Sequence, residues 1–301
     1  MRLPKYPAVR MARLRVKWRA EWREWLLILV VLCVLMMTGC TPGRKPPESA
    51  SPSSLVRGPD YGHFLSGVVT QVNALAAEAA AGDAQARATY SQWLDGAGEL
   101  TRAAALTEPE AAQGDSQAQY QLGRLLLKKE RPADDVRAAG WLTRAAEQGH
   151  VRACRELGLL YAQGRGVPRN AGLAFSWTEK AAKLGDPLAQ NDLGAAYSRG
   201  NGVSKNAVKA AQWYRRAAEQ GYALAQFNLG GAYLTGAGVR QNPGVAYAWY
   251  AAVYHHAEGT LKVSAGQMMK RAFVRAARNG RAEQASALAE QYSRQYGGGR
   301  K

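Results

Sequence analysis

The chain has 301 residues, a formal net charge of +17 and 47% hydrophobic residues, enough for one elongated core. Much of the charge sits at the ends. Residues 1–39 hold eight basic and two acidic groups and residues 258–301 nine basic and three acidic, so each stretch contributes +6. Three cysteines and four histidines exclude a scaffold stapled by several disulfides and leave little for a metal centre.

Residues 1–25 carry Arg2, Lys5, Arg10, Arg13, Arg15, Lys17, Arg19 and Arg23, and Leu26 to Met37 is an unbroken apolar run of twelve. That run is short for a membrane span and the right length for a signal-peptide core. Met37-Thr38-Gly39-Cys40 follows and resembles the bacterial lipobox, in which a small residue precedes a cysteine that is acylated and becomes residue one after cleavage. The resemblance implies a lipoprotein signal peptide over 1–39, cleavage between Gly39 and Cys40, and lipid on Cys40. Thr41, rather than Asp, resembles the outer-membrane sorting pattern and so implies that membrane, facing the periplasm. Met11 offers an alternative start. Residues 40–62, Pro- and Ser-rich without periodicity, read as a flexible tether.

Residues 63–114 read as a degenerate helical repeat or cap, marked by Gly82-Asp83 and Gly114-Asp115. From there a regular register takes over. Trp141, Trp177, Trp213 and Trp249 lie 36 residues apart. Leu-Gly recurs at Leu122-Gly123, Leu157-Gly158, Leu193-Gly194 and Leu229-Gly230. A glycine turn follows at Gly164-Arg-Gly166, Gly200-Asn-Gly202 and Gly236-Ala-Gly238, and Asn170, Asn206 and Asn242 open a second segment. Each unit is a helical hairpin. Asp186 caps a first helix whose Ala189, Leu193 and Tyr197 share a face. The paired glycines take positive φ, and Ala210, Trp213 and Ala217 lie on the inner face of a second helix. On this reading Trp177 and Trp213 are largely buried, with Trp213 filling space beside Gly194. The unit at 115–149 lacks the glycine turn and has Lys128-Lys129-Glu-Arg-Pro132 instead. One hairpin cannot bury its apolar face alone, so neighbours stack.

The pattern A-x-x-x-L-G-x-x-Y-x-x-G-x-G-V, then Trp213-Tyr-Arg-Arg-Ala-Ala-Glu-Gln-Gly221, resembles the Sel1-like repeat family, a relative of the tetratricopeptide repeat. The resemblance implies an all-α solenoid with four repeats over 115–257, a scaffold that holds proteins together, and no catalysis. It also implies that the first helices line the concave side. Non-core positions there differ between repeats: Arg155-Glu156, Asn191-Asp192 and Phe227-Asn228. Arg155, Asn191 and Phe227 are therefore expected to touch a partner, with Phe227 an exposed aromatic anchor or packed on the neighbouring repeat.

Residues 258–301 read as basic capping helices and a Gly-rich tail. Arg271, Arg275 and Arg278 align on one helix face beside an apolar stripe of Met269, Phe273 and Ala276. That basic stripe is a solvated face or a dock for an anionic lipid, polymer or acidic protein; nucleic acid is not expected of an exported chain. Chemistry finds no foothold. His255 and His256 are adjacent, roughly 100° apart on a helix, and cannot chelate. His63 is isolated, and His150 fills the slot of Asp115 and Asp186. The glycine turns follow helices rather than strands and lack Gly-Lys-Ser/Thr. With Cys33 removed and Cys40 acylated, Cys154 has no partner within the chain and reads as a small residue on a helix face. The expected function is a non-catalytic, lipid-anchored adaptor for other envelope proteins, serving a secretion, conjugation, pilus or export machine, without cofactor or metal. A surface-exposed factor that binds a host or target-cell protein is the alternative, and a protein or enzyme acting on cell-wall fragments the second alternative.

Overall fold

A computed structural model describes residues 61–296, which form thirteen α-helices and no strand. The residues expected to be signal peptide and most of the tether, Gly39 and Cys40 among them, lie outside the described residues. Among those described, no helix is long and apolar enough to cross a membrane. The chain divides into two units, Met1–Glu110 and Ala111–Lys301.

The first unit contains α1 (Tyr61–Ala81), α2 (Ala84–Gly96) and most of α3 (Leu100–Ala112). Asp83 caps α2 by accepting from the Ala86 N–H at 2.6 Å, so the Gly-Asp mark starts a helix here as in the repeats. Ser91 and Thr107, both buried, join α2 to α3 through hydroxyls 2.8 Å apart.

The second unit is a row of hairpins. They are α4 (Ser116–Lys128) with α5 (Pro132–Glu147), α6 (Val151–Gln163) with α7 (Ala171–Lys183), α8 (Pro187–Arg199) with α9 (Ala207–Glu219), and α10 (Ala223–Thr235) with α11 (Pro243–His256). Three of the four first helices start on a side-chain cap, Tyr222 before α10 giving none: Asp115 accepts from the Ala118 N–H and Asp186 from the Leu188 N–H. In the third such slot His150 Nδ1 accepts from the Ala153 N–H at 3.2 Å. The ring proton therefore sits on Nε2, which donates to Gln117 3.0 Å away. Burial, helped by the charge of Arg152, lowers the His150 pKa and favours that neutral form. Second helices start on Asn170, Asn206 and Asn242, each accepting from the first turn.

The first helices of the last three hairpins stop at a left-handed glycine, Gly164, Gly200 or Gly236, at φ 75°, 84° and 81°. The second glycine of each turn meets a harder demand. A Cβ on Gly202 would lie 2.1 Å from the carbonyl oxygen of Ala171, at the start of the preceding repeat's second helix. Gly166 and Gly238 stand in the same relation to Asp135 and Ala207, at 2.2 and 2.0 Å. The glycine pair thus both turns the chain and fastens one repeat to the one before it. In the first hairpin, without that pair, Glu130 takes φ 53°, the one non-glycine positive φ among the described residues. Arg131 then precedes Pro132 and pairs with buried Asp134, which that hydrogen bond holds below the usual carboxylate range.

Leu122, Leu157, Leu193 and Leu229 are each fully buried. The tryptophans need a correction. Trp141, Trp177 and Trp213 are only half-buried, and Trp249 alone is buried. The residue after each Trp does the filling. A Cβ on Gly194 would lie 2.7 Å from the Tyr214 ring, and one on Gly123 2.7 Å from Leu142. A residue one step along a helix turns by roughly 100°, so the Trp faces the outer rim of the core. There Arg144, Lys180 and Arg216 lie over Trp141, Trp177 and Trp213 at 4.6, 5.1 and 4.4 Å, cation–π contacts worth about 0.5–1 kcal/mol at exposed sites.

A row of amides ties each repeat to its predecessor. Gln119, Gln190 and Gln226 donate to the carbonyls of Ala111, Ala182 and Ala218 near the end of the preceding helix. Cys154 occupies the fourth place, fully buried, with its thiol 3.5 Å from the Ala146 carbonyl. Lys180 Nζ reaches that same oxygen and compensates for the missing amide. Gln119 and Gln190 also accept from Gln148 and Gln220; the slot matching those two beside Cys154 holds Leu184. A polar pair is thus replaced as a pair.

The row ends with α12 (Gly259–Arg278) and α13 (Ala282–Tyr296). Ala265-Gly266 and Met269 fall 36 residues after Leu229-Gly230 and Tyr233, so α12 opens like a fifth first helix. Ala272 and Val274 stand where Gly236 and Gly238 would recur, and the helix runs on to Arg278. α12 and α13 barely touch each other; both pack on α11, which is buried along most of its length. Tyr292 and Tyr296 of α13 cover Trp249 at 4.7 and 5.0 Å, where earlier repeats use a cation.

Candidate functional site

Positions that recur are consumed by packing, so the surface between successive first helices is where the repeats differ. Between α6 and α8 lies an open groove of about 510 Å³. Leu159 and Ala162 form one wall, Asp192, Ala195 and Arg199 the other, and the Gly200–Gly202 turn closes one end. Asp192 and Arg199 put opposite charges on the same wall. Much of Asp192 reaches solvent, but its carboxyl lies against the groove, and burial there raises its pKa. The Asn191 hydrogen bond and the charges of Arg155 and Arg199 oppose that rise.

The three first-helix residues singled out in sequence are placed differently from one another. Arg155 is half-buried and bridges repeats: its Nε lies 3.3 Å from Asp186 and its Nη2 3.3 Å from Glu156. Asn191 is only 3% exposed; its amide donates to Asp192 and its carbonyl accepts from Asn228 at 2.9 Å. Phe227 is no exposed anchor. It is half-buried, with its ring 5.3 Å from that of Tyr250 in an edge-on contact within its own hairpin. Asn191 and Phe227 are thus mainly packing residues, and Asp192, one step along the helix from Asn191, is the one that opens to the groove. Arg199 was missed altogether. Its signal was a charge at the last position of a first helix, where the neighbouring repeats have Gln163 and Thr235.

On α12, Arg271, Arg275 and Arg278 are exposed and on one side, as expected. Of the adjoining apolar stripe, Ala276 is buried and Met269 partly buried, whereas Phe273 stays 37% exposed, against Tyr247. Cys154 is an interior residue rather than a surface one; burial raises the pKa of its thiol and keeps it protonated. Among the described residues no cluster of His, Cys, Asp and Glu has the arrangement of a metal site. His255 and His256 line a separate hollow between α11 and α13, with Tyr254 and Glu290.

The family model described as "Sel1 repeat" matches residues 116–150, 151–186, 187–222 and 223–252. Among solved structures, the chain is similar to a Sel1 repeat protein from Oxalobacter formigenes, at 29% identity and a TM-score of 0.57, over 69% of this chain and 85% of that one. It is also similar to c5321, a protective antigen of uropathogenic Escherichia coli with an SLR fold, at 27% identity and a TM-score of 0.45, over 75% of this chain and 56% of that one. A search of the curated proteins found no match.

Proposed function

Starting from a chain that belongs to the Sel1 repeat family, we propose that it is a membrane-anchored, non-catalytic adaptor of the bacterial cell envelope. Sel1 repeats are generally protein-interaction scaffolds. The observation that carries the reading is the groove between α6 and α8. Its Asp192 and Arg199 stand at positions that packing leaves free to vary, and Leu159, Ala162, Ala174 and Phe175 make most of the rest apolar beside Arg169. An apolar floor with a few placed charges suits a segment of another protein. The anchor is Cys40: the run of Leu26 to Met37 followed by Gly39-Cys40 supports acylation, and the stretch after it supports a tether. Two acyl chains hold a protein to a bilayer stably, where one binds only marginally. The partners are other envelope proteins, held together as part of a secretion, conjugation, pilus or export machine, at the periplasmic face of the outer membrane.

Two measurements test this. Cys40→Ala is expected to block processing or release the protein from the membrane fraction; a mutant that matures to the same size and stays with membranes sinks the anchor. Asp192→Lys with Arg199→Glu reverses both charges of the groove wall. Crosslinked pull-downs from envelope fractions are expected to lose partners while thermal melting is kept. Full retention of every partner by the folded double mutant removes the groove from the reading.

A further inference from the structure

The register that makes α12 a fifth first helix also gives it a groove against the first helix before it, α10. A groove of about 570 Å³ lies between the end of α10 and α12. Leu234, Met268 and Arg271 line it, and they fall 72 residues after Ala162, Ala196 and Arg199 of the groove between α6 and α8. The two grooves share these register positions, although α7 lines the first and α11 gives no residue to the second. Only the second is lengthened, because α12 does not stop where the glycine pair stops the others. Its additional turns contribute Val274, Arg275 and Arg278.

The lengthening changes the chemistry. Groove-lining Lys270, Arg271, Arg275 and Arg278 carry four positive charges, no carboxylate lines the groove, and α12 holds no Asp or Glu from Gly259 to Arg278. Among the described residues none of the four is in a salt bridge. Arg275 donates one N–H to the Leu234 carbonyl at 3.3 Å, which caps α10 and fixes that guanidinium at the groove edge. Arg271 directs Nη1 toward the Met268 sulfur, 3.9 Å away, a weak contact that leaves its charge uncompensated. Beside these charges lie Leu234, Met268 and Val274, the last 51% exposed. Four like charges on one wall repel one another, and an anionic occupant removes that repulsion.

We propose that this groove docks an acidic segment of a partner protein that carries apolar side chains between its carboxylates. The shape favours a peptide over a bilayer. A plane of headgroups meets the exposed guanidinium tips but not a floor of Leu234 and Met268 set between two helices. A peptide uses both, with carboxylates on the forks of Arg271 and Arg278 and an apolar side chain against Met268 and Val274. The proposal rests on the scaffold reading for its partner class, yet the groove between α6 and α8 is a separate place and is tested separately.

The test uses the full chain and defined probes: a labelled copolymer of glutamate and leucine, polyglutamate, and vesicles containing phosphatidylglycerol. Arg271→Glu with Arg278→Glu cancels the net positive charge of the groove while Arg275 keeps its cap. Lys205→Glu with Arg240→Glu makes the same charge change on exposed turns elsewhere. The native chain is expected to bind the copolymer more tightly than polyglutamate, with an affinity that falls as salt rises. The groove variant is expected to weaken by roughly tenfold or more, and the turn variant to stay close to native. Should the glutamate pair unfold the protein, Arg271→Gln with Arg278→Gln is measured instead. Equal weakening by the two double mutants overturns the proposal, and so does polyglutamate binding as well as the copolymer, which would be attraction to charge alone. Preference for the vesicles over the copolymer assigns the surface to a membrane and overturns it too. Absence of binding to any probe does the same.

Discussion

In the repeats at 151–222 a first helix lasts 13 residues, whereas α12, which starts in the same register, lasts 20. The difference is two side chains. Gly200 and Gly202 hold φ of 84° and 69° and let the chain leave the helix; Ala272 and Val274, at the matching places, stay helical. A left-handed residue with a Cβ costs about 1–2 kcal/mol, so without glycine, continuing the helix is the cheaper path. Where the turn forms, it fastens onto the preceding repeat. Where it does not, seven more residues of helix lie over α11 and carry a basic face out with them. The glycine pair therefore sets the length of the unit and the charge it presents.

The largest effect should come from breaking an interior turn. Gly202→Val adds backbone strain and drives a side chain into the Ala171 carbonyl, so a loss above about 3 kcal/mol, or no folding, is expected in thermal melting. Gly200→Val meets nothing nearer than 3.5 Å and should show the strain alone, about 1–3 kcal/mol. Equal losses at the two positions would mean that fastening to the previous repeat contributes nothing. Next in size is the core of the interior hairpin. Tyr214→Ala should cost about 3–5 kcal/mol by emptying the space against Gly194. Trp213→Ala should cost about 1–2 kcal/mol, since half its surface burial and one cation–π contact are at stake. The reverse order would restore the tryptophan as the filler. The smallest change sharpens the other side of the comparison. Ala272→Gly with Val274→Gly should cost about 1 kcal/mol per glycine and open the end of α12, read as lost hydrogen-exchange protection of the amides at 275–278. Undiminished protection there would show that something other than these two residues sets the helix length.

Much of the fold was legible because packing repeats what it needs. From Leu157 on, the Leu-Gly pairs, the asparagine caps and the glycine turns all stand where a 36-residue period puts them. What was not legible depends on direction rather than identity. Trp213 and Tyr214 are neighbours in sequence and both aromatic, and only the close approach of α9 to Gly194 tells which faces inward. Asn191 and Asp192 pose the same problem on the first helix, where a hydrogen bond from Asn228 buries one and leaves the other at the groove. The Lys180 contact that stands in for an amide beside Cys154 crosses 34 residues, and nothing local announces it. The fifth first helix was hidden because a shortened leucine, Ala265, and a missing turn removed the marks by which the others were found.

The turn contacts all point one way along the chain. Gly166 closes on Asp135, Gly202 on Ala171 and Gly238 on Ala207, the later residue always seeking the earlier. Gln190 and Gln226 likewise reach back to Ala182 and Ala218. A chain delivered N-terminus first, from a ribosome or through a membrane, presents its residues in that same order. An array that folds from its N-terminal end has the helix each turn must grip in place before that turn arrives. Exposed apolar faces on a half-made array are the usual route to misassembly of repeat proteins. With the backward grip, growth of the array from its N-terminal end leaves the apolar face of about one hairpin uncovered at a time.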